Sequence, residues 1–268
     1  MNWKFPPLFF TLVTVTWSLA NWPASAPSAL SPSEARVTRL DSSVQLLHPM
    51  SAPRSARLND IVDPETVVRT GKHSHAELTF GYETVVRLAA NTTFDFKNGT
   101  QDLNVSEGAA LVQAPKSANG ATIHAGSVAA AIAGTTVMVE NHPGFCKFLV
   151  LEGTCRLYRP GHLGDSVLVG PGQMVMGNPS AALSDPANFD IARFVKTSRF
   201  LVGLPPLRSK DSIAFEAEKQ DREKSKKTLI DTNLVIFGGG TQVSLVGQEP
   251  ATKHPTPNLS LEAARASQ

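Results

Sequence analysis

The stretch AELTF at residues 76–80 alternates apolar and polar side chains. Ala76, Leu78 and Phe80 fall on one side of an extended chain, and Glu77 and Thr79 fall on the other. Such alternation is typical of a β-strand with one face buried and the other in contact with solvent. This stretch therefore predicts a strand, and the residues on either side of it repeat the pattern.

Short apolar runs recur along residues 35–178, with glycine, proline and asparagine between them. Strands that recur every ~8–12 residues with intervening turns are typical of a sandwich, barrel or solenoid. Strands do not alternate with long helices, so a Rossmann-type sheet is not expected. We predict an all-β domain over residues 35–178. The other runs are TVVR at 66–69, TVVRL at 84–88, ALVQ at 110–113, TTVMV at 135–139 and FLVL at 148–151.

The composition of the chain excludes several classes of protein. Of its 268 residues 41% are hydrophobic and 18% are charged, which is enough apolar material for a core. The 25 basic and 23 acidic residues give a net charge of +2, whereas a dedicated nucleic-acid binder would show a clustered basic excess. Two cysteines exclude a disulfide scaffold and a cysteine-rich zinc or iron–sulfur site.

The first residues have the layout of a secretory signal peptide. Lys4 supplies a positive charge, residues 8–20 form a charge-free and mostly apolar run, and small residues follow it. The run is shorter than the ~20 residues that a membrane span needs, although an uncleaved membrane anchor is the alternative. We predict a signal peptide over residues 1–26, cleaved after Ala20 or Ala26, and a periplasmic or secreted mature protein.

A helical extension is predicted over residues 184–228. Asp185 and Pro186 suit the N-cap and first position of a helix, and Gly203 suits its end. A second, highly charged helix is expected from about Lys210 to Lys227, mostly solvated, with Glu218 and Arg222 as an i, i+4 pair. The first helix would dock on the β domain through an apolar stripe. Its members are Ile191, Phe194, Val195, Ser198, Leu201 and Val202, and the apolar residues of the second helix are Ile213 and Phe215.

The end of the chain predicts a short β segment over residues 229–247. Residues 234–237 and 241–246 read as two strands around the glycine triplet 238–240. No Lys-Ser/Thr pair and no helix follow the triplet, which favours an ordinary loop over a phosphate cradle. The proline-containing tail, residues 248–268, is expected to be disordered.

Two histidines and two cysteines have spacings that bear on metal binding and on disulfide formation. His73 and His75 would share a face if both lay on a strand, with Glu77 continuing that face. A straight strand cannot converge three such ligands on one tetrahedral centre, so no metal is expected. Cys146 and Cys155 flank the Glu152-Gly153 turn, and a tight hairpin there would hold them too far apart for a disulfide. Two buried thiols are expected, with a disulfide as the alternative that export would favour.

The sequence contains none of the common catalytic motifs. Gly-x-Ser-x-Gly and His-Glu-x-x-His are absent, and no Ser-x-x-Lys stands in a plausible setting. Paired catalytic carboxylates could still be contributed by distant strands, but no spacing points to them. We therefore assign no catalytic, cofactor-binding or metal-ligating residue, and we expect a protein that is not an enzyme.

Residues 56–177 resemble the FecR domain family, in several short motifs that follow one another in the family's order. The sequence departs from the family at GYET, residues 81–84, where Asp-Gly-Ser is often found, and at AGS, residues 125–127, where Thr-Pro is frequent. The matching motifs are RLNDI at 57–61, VRTGKHSHAELTF at 68–80, VRLAANTTF at 86–94, EG at 107–108, AGTTVMV at 133–139, VLEG at 150–153 and GQM at 172–174.

The resemblance implies a noncatalytic, periplasmic all-β domain, β-solenoid-like or built from two sheets. In the best-known members, this domain receives a signal from a TonB-dependent outer-membrane transporter, across a membrane from an anti-sigma segment. Only three residues precede Lys4 in this sequence, so we do not expect that segment here. What carries over is the module itself, as a binding surface or scaffold.

Two functions follow from these observations. The favoured one is an exported FecR-type binding or scaffold module of the bacterial cell envelope, with the reception of a signal as one form of that role. Its expected partner is another envelope or outer-membrane protein, or an envelope glycan, with no nucleic acid, no metal, no cofactor and membrane contact only through an uncleaved N-terminal segment. The alternative is an envelope enzyme that acts on polysaccharide, which would need acids and aromatic residues clustered along one face.

Overall fold

The computed structural model describes residues 1, 33–97, 102–118, 120–223, 229–231 and 244–246. The predicted signal peptide beyond Met1, the predicted strand at 234–237, the glycine triplet and the tail at 248–268 lie outside the described residues.

The described chain is built mainly from β-strands, as the sequence predicts, with two α-helices after them and a single 3-10 turn at Gly81–Glu83. The helices are α1 (Ile191–Thr197) and α2 (Lys210–Glu223). The strands are β1 (Ala35–Asp41), β2 (Val44–Leu47), β3 (Arg54–Ser55), β4 (Ile61–Val62), β5 (Val67–Thr70), β6 (His75–Phe80), β7 (Val85–Leu88), β8 (Thr93–Phe96), β9 (Asp102–Ala114), β10 (Ala121–Ala125), β11 (Val128–Ile132), β12 (Thr135–His142), β13 (Phe145–Glu152), β14 (Cys155–Tyr158), β15 (Ser166–Val169), β16 (Gln173–Gly177), β17 (Ala187–Asn188), β18 (Leu229–Asp231) and β19 (Ser244–Val246).

The first seventeen strands form two layers that share β9. In the layer that we call the central sheet, the strand order is β4-β1-β6-β7-β9-β12-β13-β16-β17. In the outer sheet, the order is β3-β2-β5-β8-β9-β10-β11-β14-β15. All of these pairs are antiparallel except β9–β10. This confirms the all-β class with C-terminal helices, and the layers have the two-sheet form of the prediction.

A hydrophobic core fills the space between the two sheets. The AELTF strand behaves as predicted, because Ala76, Leu78 and Phe80 are buried in this core while Glu77 and Thr79 are only partly buried on the other side. Buried residues of both sheets contribute to the same core, including Val37, Val112, Val139 and Phe148 from the central sheet and Val68, Phe94, Ile123 and Leu157 from the outer sheet.

A second apolar cluster lies on the opposite face of the central sheet, beneath the chain that follows β16. Leu111, Met138 and Leu149 point away from the sandwich core into this cluster. Because both faces are covered here, β12 and β13 are buried along almost their whole length. The cover, which we call the helical extension, contributes Phe189, Ile191, Phe194, Phe200, Leu207 and Ile213.

The first helix docks as predicted but starts later than predicted. Asp190 is its N-cap, with the side chain accepting a hydrogen bond from the backbone N–H of Arg193 at 2.8 Å. Asp185 and Pro186 lie outside the helix, because the next two residues pair as β17 with Gln173 and Met174. Phe194 is buried as expected.

The predicted apolar stripe is only partly correct, because the helix ends at Thr197. Val195 and Val202 are exposed, whereas Phe200, in the turn beyond the helix, is buried. The chain turns beyond the helix, with the backbone N–H groups of Leu201 and Val202 donating to the Ser198 carbonyl, and Phe200 in this turn joins the apolar cluster.

The second helix is mostly exposed, as the charge pattern predicts. Ile213 is its buried contact, but Phe215 is 58% exposed. Arg222 donates to the backbone carbonyl of Glu218 at 3.4 Å. Beyond this helix, β18 pairs antiparallel with β19. No helix among the described residues has the length and apolarity needed to cross a membrane.

Candidate functional site

A groove opens at the end of the sandwich where β9 passes from the outer sheet to the central sheet. Its volume is about 840 Å³, and we call it the hairpin-end groove because the β12–β13 turn forms part of its rim. Its floor consists of small residues and backbone. The lining residues are Arg69, Thr70, Lys72, Ala89, Ala90, Asn91, Thr93, Glu107, Gly108, Ala109, Glu140, His142 and Phe145.

Two buried threonines hold the floor of this groove in place. The Thr70 hydroxyl donates to the carbonyl of Ala89 at 2.5 Å and accepts from the backbone N–H of Thr92 at 2.8 Å. The Thr92 hydroxyl lies 3.1 Å from both the carbonyl and the backbone nitrogen of Ala109. Direct hydrogen bonds thereby join three chain segments, so the floor is expected to be rigid.

Gly108 is the residue at which β9 changes sheets. Its φ is +90°, and a Cβ atom added there would lie 2.5 Å from the Thr92 hydroxyl oxygen and 2.6 Å from the Asn91 carbonyl oxygen. An L-residue would therefore be strained in its backbone and would collide with the neighbouring turn. The groove exists in this shape because position 108 has no side chain.

One wall of the groove contains a buried pair of opposite charges. Glu140 on β12 and Lys147 on β13 are directly opposite each other in the register, and Lys147 Nζ lies 2.7 Å from Glu140 Oε2. Lys147 is 0% exposed and Glu140 is 1% exposed. Burial lowers the pKa of Lys147, and the Glu140 carboxylate opposes that shift. A pair so deeply buried stays charged only because each member neutralises the other.

His142 connects this buried pair to the groove surface. Its Nε2 atom lies 2.7 Å from Glu140 Oε1, and its ring centroid lies 5.2 Å from that of Phe145, at the other end of the β12–β13 turn. The side chain of His142 is 28% exposed, so a ligand in the groove would reach the imidazole ring without disturbing the pair below it.

A smaller cavity of about 370 Å³ adjoins the groove and shares Glu107, His142 and Phe145 with it. Asn141 lines this cavity, and its amide nitrogen donates to the carbonyls of Val105 and Ser106 at 2.9 and 2.8 Å. These bonds fix the position of the β12–β13 hairpin against β9. The two cavities therefore form a continuous recess around the hairpin end.

The rim of the groove carries charges of both signs. Arg69 and Lys72 are exposed on one side, and Glu107 is exposed near the crossing of β9. In the part of the chain that the structure describes, His142 hydrogen-bonds to Glu140, and no hydroxyl or thiol is in hydrogen-bond contact with its ring. The groove thus offers groups that recognise a ligand, and it holds no nucleophile paired with a base.

The two histidines considered at the outset as a metal pair do not share a strand face. His73 lies in the turn before β6 with φ +56°, and His75 begins the strand. His75 Nδ1 lies 3.9 Å from an Asp41 carboxylate oxygen, and Glu77 is held by Arg87 at 2.8 Å. Within the described ranges, no three histidine, cysteine or acidic side chains form a group that could hold a metal ion.

The two cysteines are free and buried, but for a different reason from the one predicted. The assumed hairpin is wrong, because β13 pairs with β12 and β16 in the central sheet whereas β14 pairs with β11 and β15 in the outer sheet. Cys146 and Cys155 therefore belong to different layers. Burial raises the pKa of the Cys146 thiol to about 11 and that of the Cys155 thiol to about 12.

The sequence reasoning missed Glu107, Glu140, His142 and Lys147, which the fold brings to one groove. A signal for two of them was present, because Glu140 and Lys147 each interrupt an otherwise apolar run. A charge inside a buried strand requires a partner of opposite charge. When two consecutive strands each contain one such charge, of opposite sign, the two residues are expected to pair.

Residues 66–156 match the model of the family described as FecR protein. This part of the chain therefore resembles a FecR domain. The match begins just before β5 and ends within β14, so it covers every residue that lines the hairpin-end groove. The helical extension lies outside the matched residues.

The fold was also compared with solved structures and curated proteins. Two crystal structures of what is described as "a putative anti-sigma factor" from Parabacteroides distasonis ATCC 8503 are similar to this chain. One is 15% identical with a TM-score of 0.42, covering 74% of this chain and 87% of that chain. The other is 13% identical with a TM-score of 0.39, covering 69% and 99%. No curated protein matches the chain.

Proposed function

We propose that this protein is an exported, noncatalytic FecR module of the bacterial cell envelope that binds a segment of another envelope protein in the hairpin-end groove. The observation that carries the proposal is the position of the groove. Every residue that lines it belongs to the FecR domain, and the groove is open to solvent. We propose a signalling role for this binding, because signalling is the role that the match to the FecR family supports best.

The chemistry of the groove favours a polypeptide as its occupant. The groove offers Arg69 and Lys72 on one side, Glu107 on the other, and the rings of His142 and Phe145 at the hairpin end. Protein interfaces combine an aromatic anchor with a rim of charges that orient the partner. A volume of about 840 Å³ accommodates several side chains of an extended segment.

The buried pair supports a binding role rather than a catalytic one. Glu140 is engaged by Lys147 and by His142, each at 2.7 Å. A carboxylate that is paired with a fully buried lysine is a poor general acid, because loss of its charge would leave Lys147 buried without compensation.

Export is supported by the N-terminal sequence. Lys4, the apolar run at 8–20 and the small residues after it have the layout of a signal peptide. Intact mass and N-terminal sequencing of native material test this part of the proposal. A mature N-terminus at Asn21 or Pro27 is expected, and an unprocessed Met1 on a cytoplasmic protein would contradict it.

Charge reversal at the rim tests the binding role. We expect immobilised wild-type protein to retain a specific protein from an envelope extract, and the double variant Arg69→Glu, Lys72→Glu to retain much less of it. Arg156→Glu is the matched control, since Arg156 is exposed on β14 in the outer sheet, outside the groove. Equal retention by all three proteins, or retention of a glycan fraction only, would contradict the proposal.

A further inference from the structure

A second cleft, of about 350 Å³, lies between the central sheet and the Pro205–Leu207 segment of the helical extension. It shares no lining residue with the hairpin-end groove. Its volume is at the lower end of the ~300–1,000 Å³ that is usual for sites of small organic ligands.

Gln113 on β9 lines this cleft and carries an unpaired acceptor. The residue is 3% exposed, lines the cleft, and its Oε1 atom is buried without a hydrogen-bond partner. Its neighbour on β12, Thr136, cannot supply the donor, because the Thr136 hydroxyl donates to Glu152 at 2.8 Å and lies 2.7 Å from the Ser209 hydroxyl oxygen. A buried acceptor without a donor is costly, so a ligand that donates to Gln113 would gain affinity from it.

The charged groups of the cleft are balanced. Arg87 donates to Glu77 at 2.8 Å and to the carbonyls of Phe200 and Pro205 at 2.7 Å each. Arg208 is paired in a two-point contact with Glu83. Two carboxylates and two guanidinium groups therefore cancel within the lining, and a charged ligand would have to break one of these pairs.

Apart from Thr79, whose hydroxyl lies 3.2 Å from that of Thr38, the remaining lining is apolar. Val85, Pro205, Pro206 and Leu207 border the cleft beside the polar groups. The cleft thus combines flat apolar walls, hydrogen-bond donors and acceptors, and no net charge. A ligand with hydroxyl groups fits this combination, because each hydroxyl both donates and accepts while its ring carbons present C–H surface.

We propose that this cleft binds a small neutral polyhydroxylated ligand, of the size of one or two sugar rings, with a hydroxyl group donating to Gln113 Oε1. The site is separate from the hairpin-end groove and does not depend on the function proposed for it.

Saturation-transfer NMR on the full chain, with glucose, galactose and N-acetylglucosamine as probes, tests the site. At least one probe is expected to bind the wild type, and Gln113→Leu is expected to weaken that binding about tenfold or more. Lys72→Ala, in the hairpin-end groove, is the matched control and should bind like the wild type.

Thermal melting separates loss of the site from loss of the fold. Gln113→Leu removes an unpaired buried acceptor, so its Tm should equal or exceed that of the wild type. The proposal is overturned if none of the probes binds the wild type, if Gln113→Leu binds as well as the wild type, or if Lys72→Ala loses the binding instead.

Discussion

The outward-facing surfaces of the two sheets differ in the way they are covered. On the central sheet, Met138 and Leu149 point outward and are buried beneath Phe194 and Phe200 of the helical extension. On the outer sheet, the outward side chain of Arg156 is exposed, and Asn104 is held by Asp95 at 2.8 Å. We call these the covered face and the open face.

The difference between the two faces explains the two strand patterns in the sequence. A strand with one open face alternates, as β14 does, whereas a strand buried on both faces is apolar throughout, as in β13. Two residues of β13 are charged: Glu152 ends the strand and is partly buried, and the charge of the buried Lys147 is tolerated because Glu140 lies opposite it. The comparison therefore teaches that polar groups at the covered face must pair among themselves.

The largest expected effect comes from removing the main anchor of the cover. Phe194→Ala should lower the free energy of unfolding by about 3–5 kcal/mol, since it leaves a cavity between the helical extension and the central sheet. Val195→Ala is the matched control in the same helix and should change it by less than ~0.5 kcal/mol, because Val195 is exposed. Denaturant unfolding measures both. An unchanged midpoint for Phe194→Ala would show that the cover is not docked.

A slightly smaller effect is expected from breaking the buried pair on the central sheet. Lys147→Met should cost about 3 kcal/mol, the lower end of the usual range for such a change, because His142 remains as a partner for Glu140. Arg54→Met breaks the Arg54–Asp60 pair, in which the arginine is 53% exposed, and should cost at most ~1 kcal/mol. Similar losses for the two variants, measured by urea titration, would contradict the assignment of one pair as buried and the other as superficial.

β9 passes from one sheet to the other at Gly108. Substitution of Gly108 by alanine should lower the free energy of unfolding by about 2 kcal/mol. Gly108→Ala combines backbone strain at a φ of +90° with collisions against Thr92 and Asn91. Gly144→Ala has nearly the same strain, with φ +89°, but its added Cβ meets nothing within 4 Å, so about 1 kcal/mol is expected. The difference in Tm between these variants measures the collision alone. Equal decreases in Tm for the two variants would show that a side chain at position 108 meets no steric obstruction.

The smallest effect concerns the two thiols, one in each sheet. Burial raises the pKa of both above the ordinary value of 9.0, so the unfolded chain releases these protons first as the pH rises. The contribution of the buried thiols to the free energy of unfolding is fully present below pH ~9 and should be lost as the pH rises toward ~11–12. At pH ~10 the loss should be about 1 kcal/mol per thiol. The double variant Cys146→Ala, Cys155→Ala should show a flatter decline over this range. An identical slope for wild type and variant would contradict the burial of the thiols.

Local sequence patterns were enough to predict the strands but not the way the layers are joined. AELTF and the runs near 84–88, 135–139 and 148–151 are strands, because alternation and β-branched residues act locally. The tight hairpin assumed at Glu152-Gly153 was wrong, because strand pairing depends on where the chain goes after Gly153, which no local pattern specifies. The start of α1 was likewise displaced from Asp185 to Asp190 by the pairing of β17.

The candidate site was largely invisible in the sequence. Arg69, Glu107 and Glu140 come from three separate segments that meet only when β9 changes sheets. The residue that makes the crossing possible, Gly108, was visible as a turn signal but not as the floor of a groove. His73 and His75 were considered as a metal pair and no metal was expected there; in the structure His73 lies in a turn and His75 begins β6.

The proposed binding surface is the hairpin-end groove, and not the open face. Site-specific photo-crosslinking distinguishes the two surfaces, with benzoylphenylalanine placed at Lys72 in the groove or at Arg156 on the open face, in the native envelope. Both positions are exposed, so neither substitution is expected to disturb the fold. A discrete protein adduct is expected from position 72 and none from position 156. An adduct from position 156 alone, or the same adduct from both positions, would contradict this expectation.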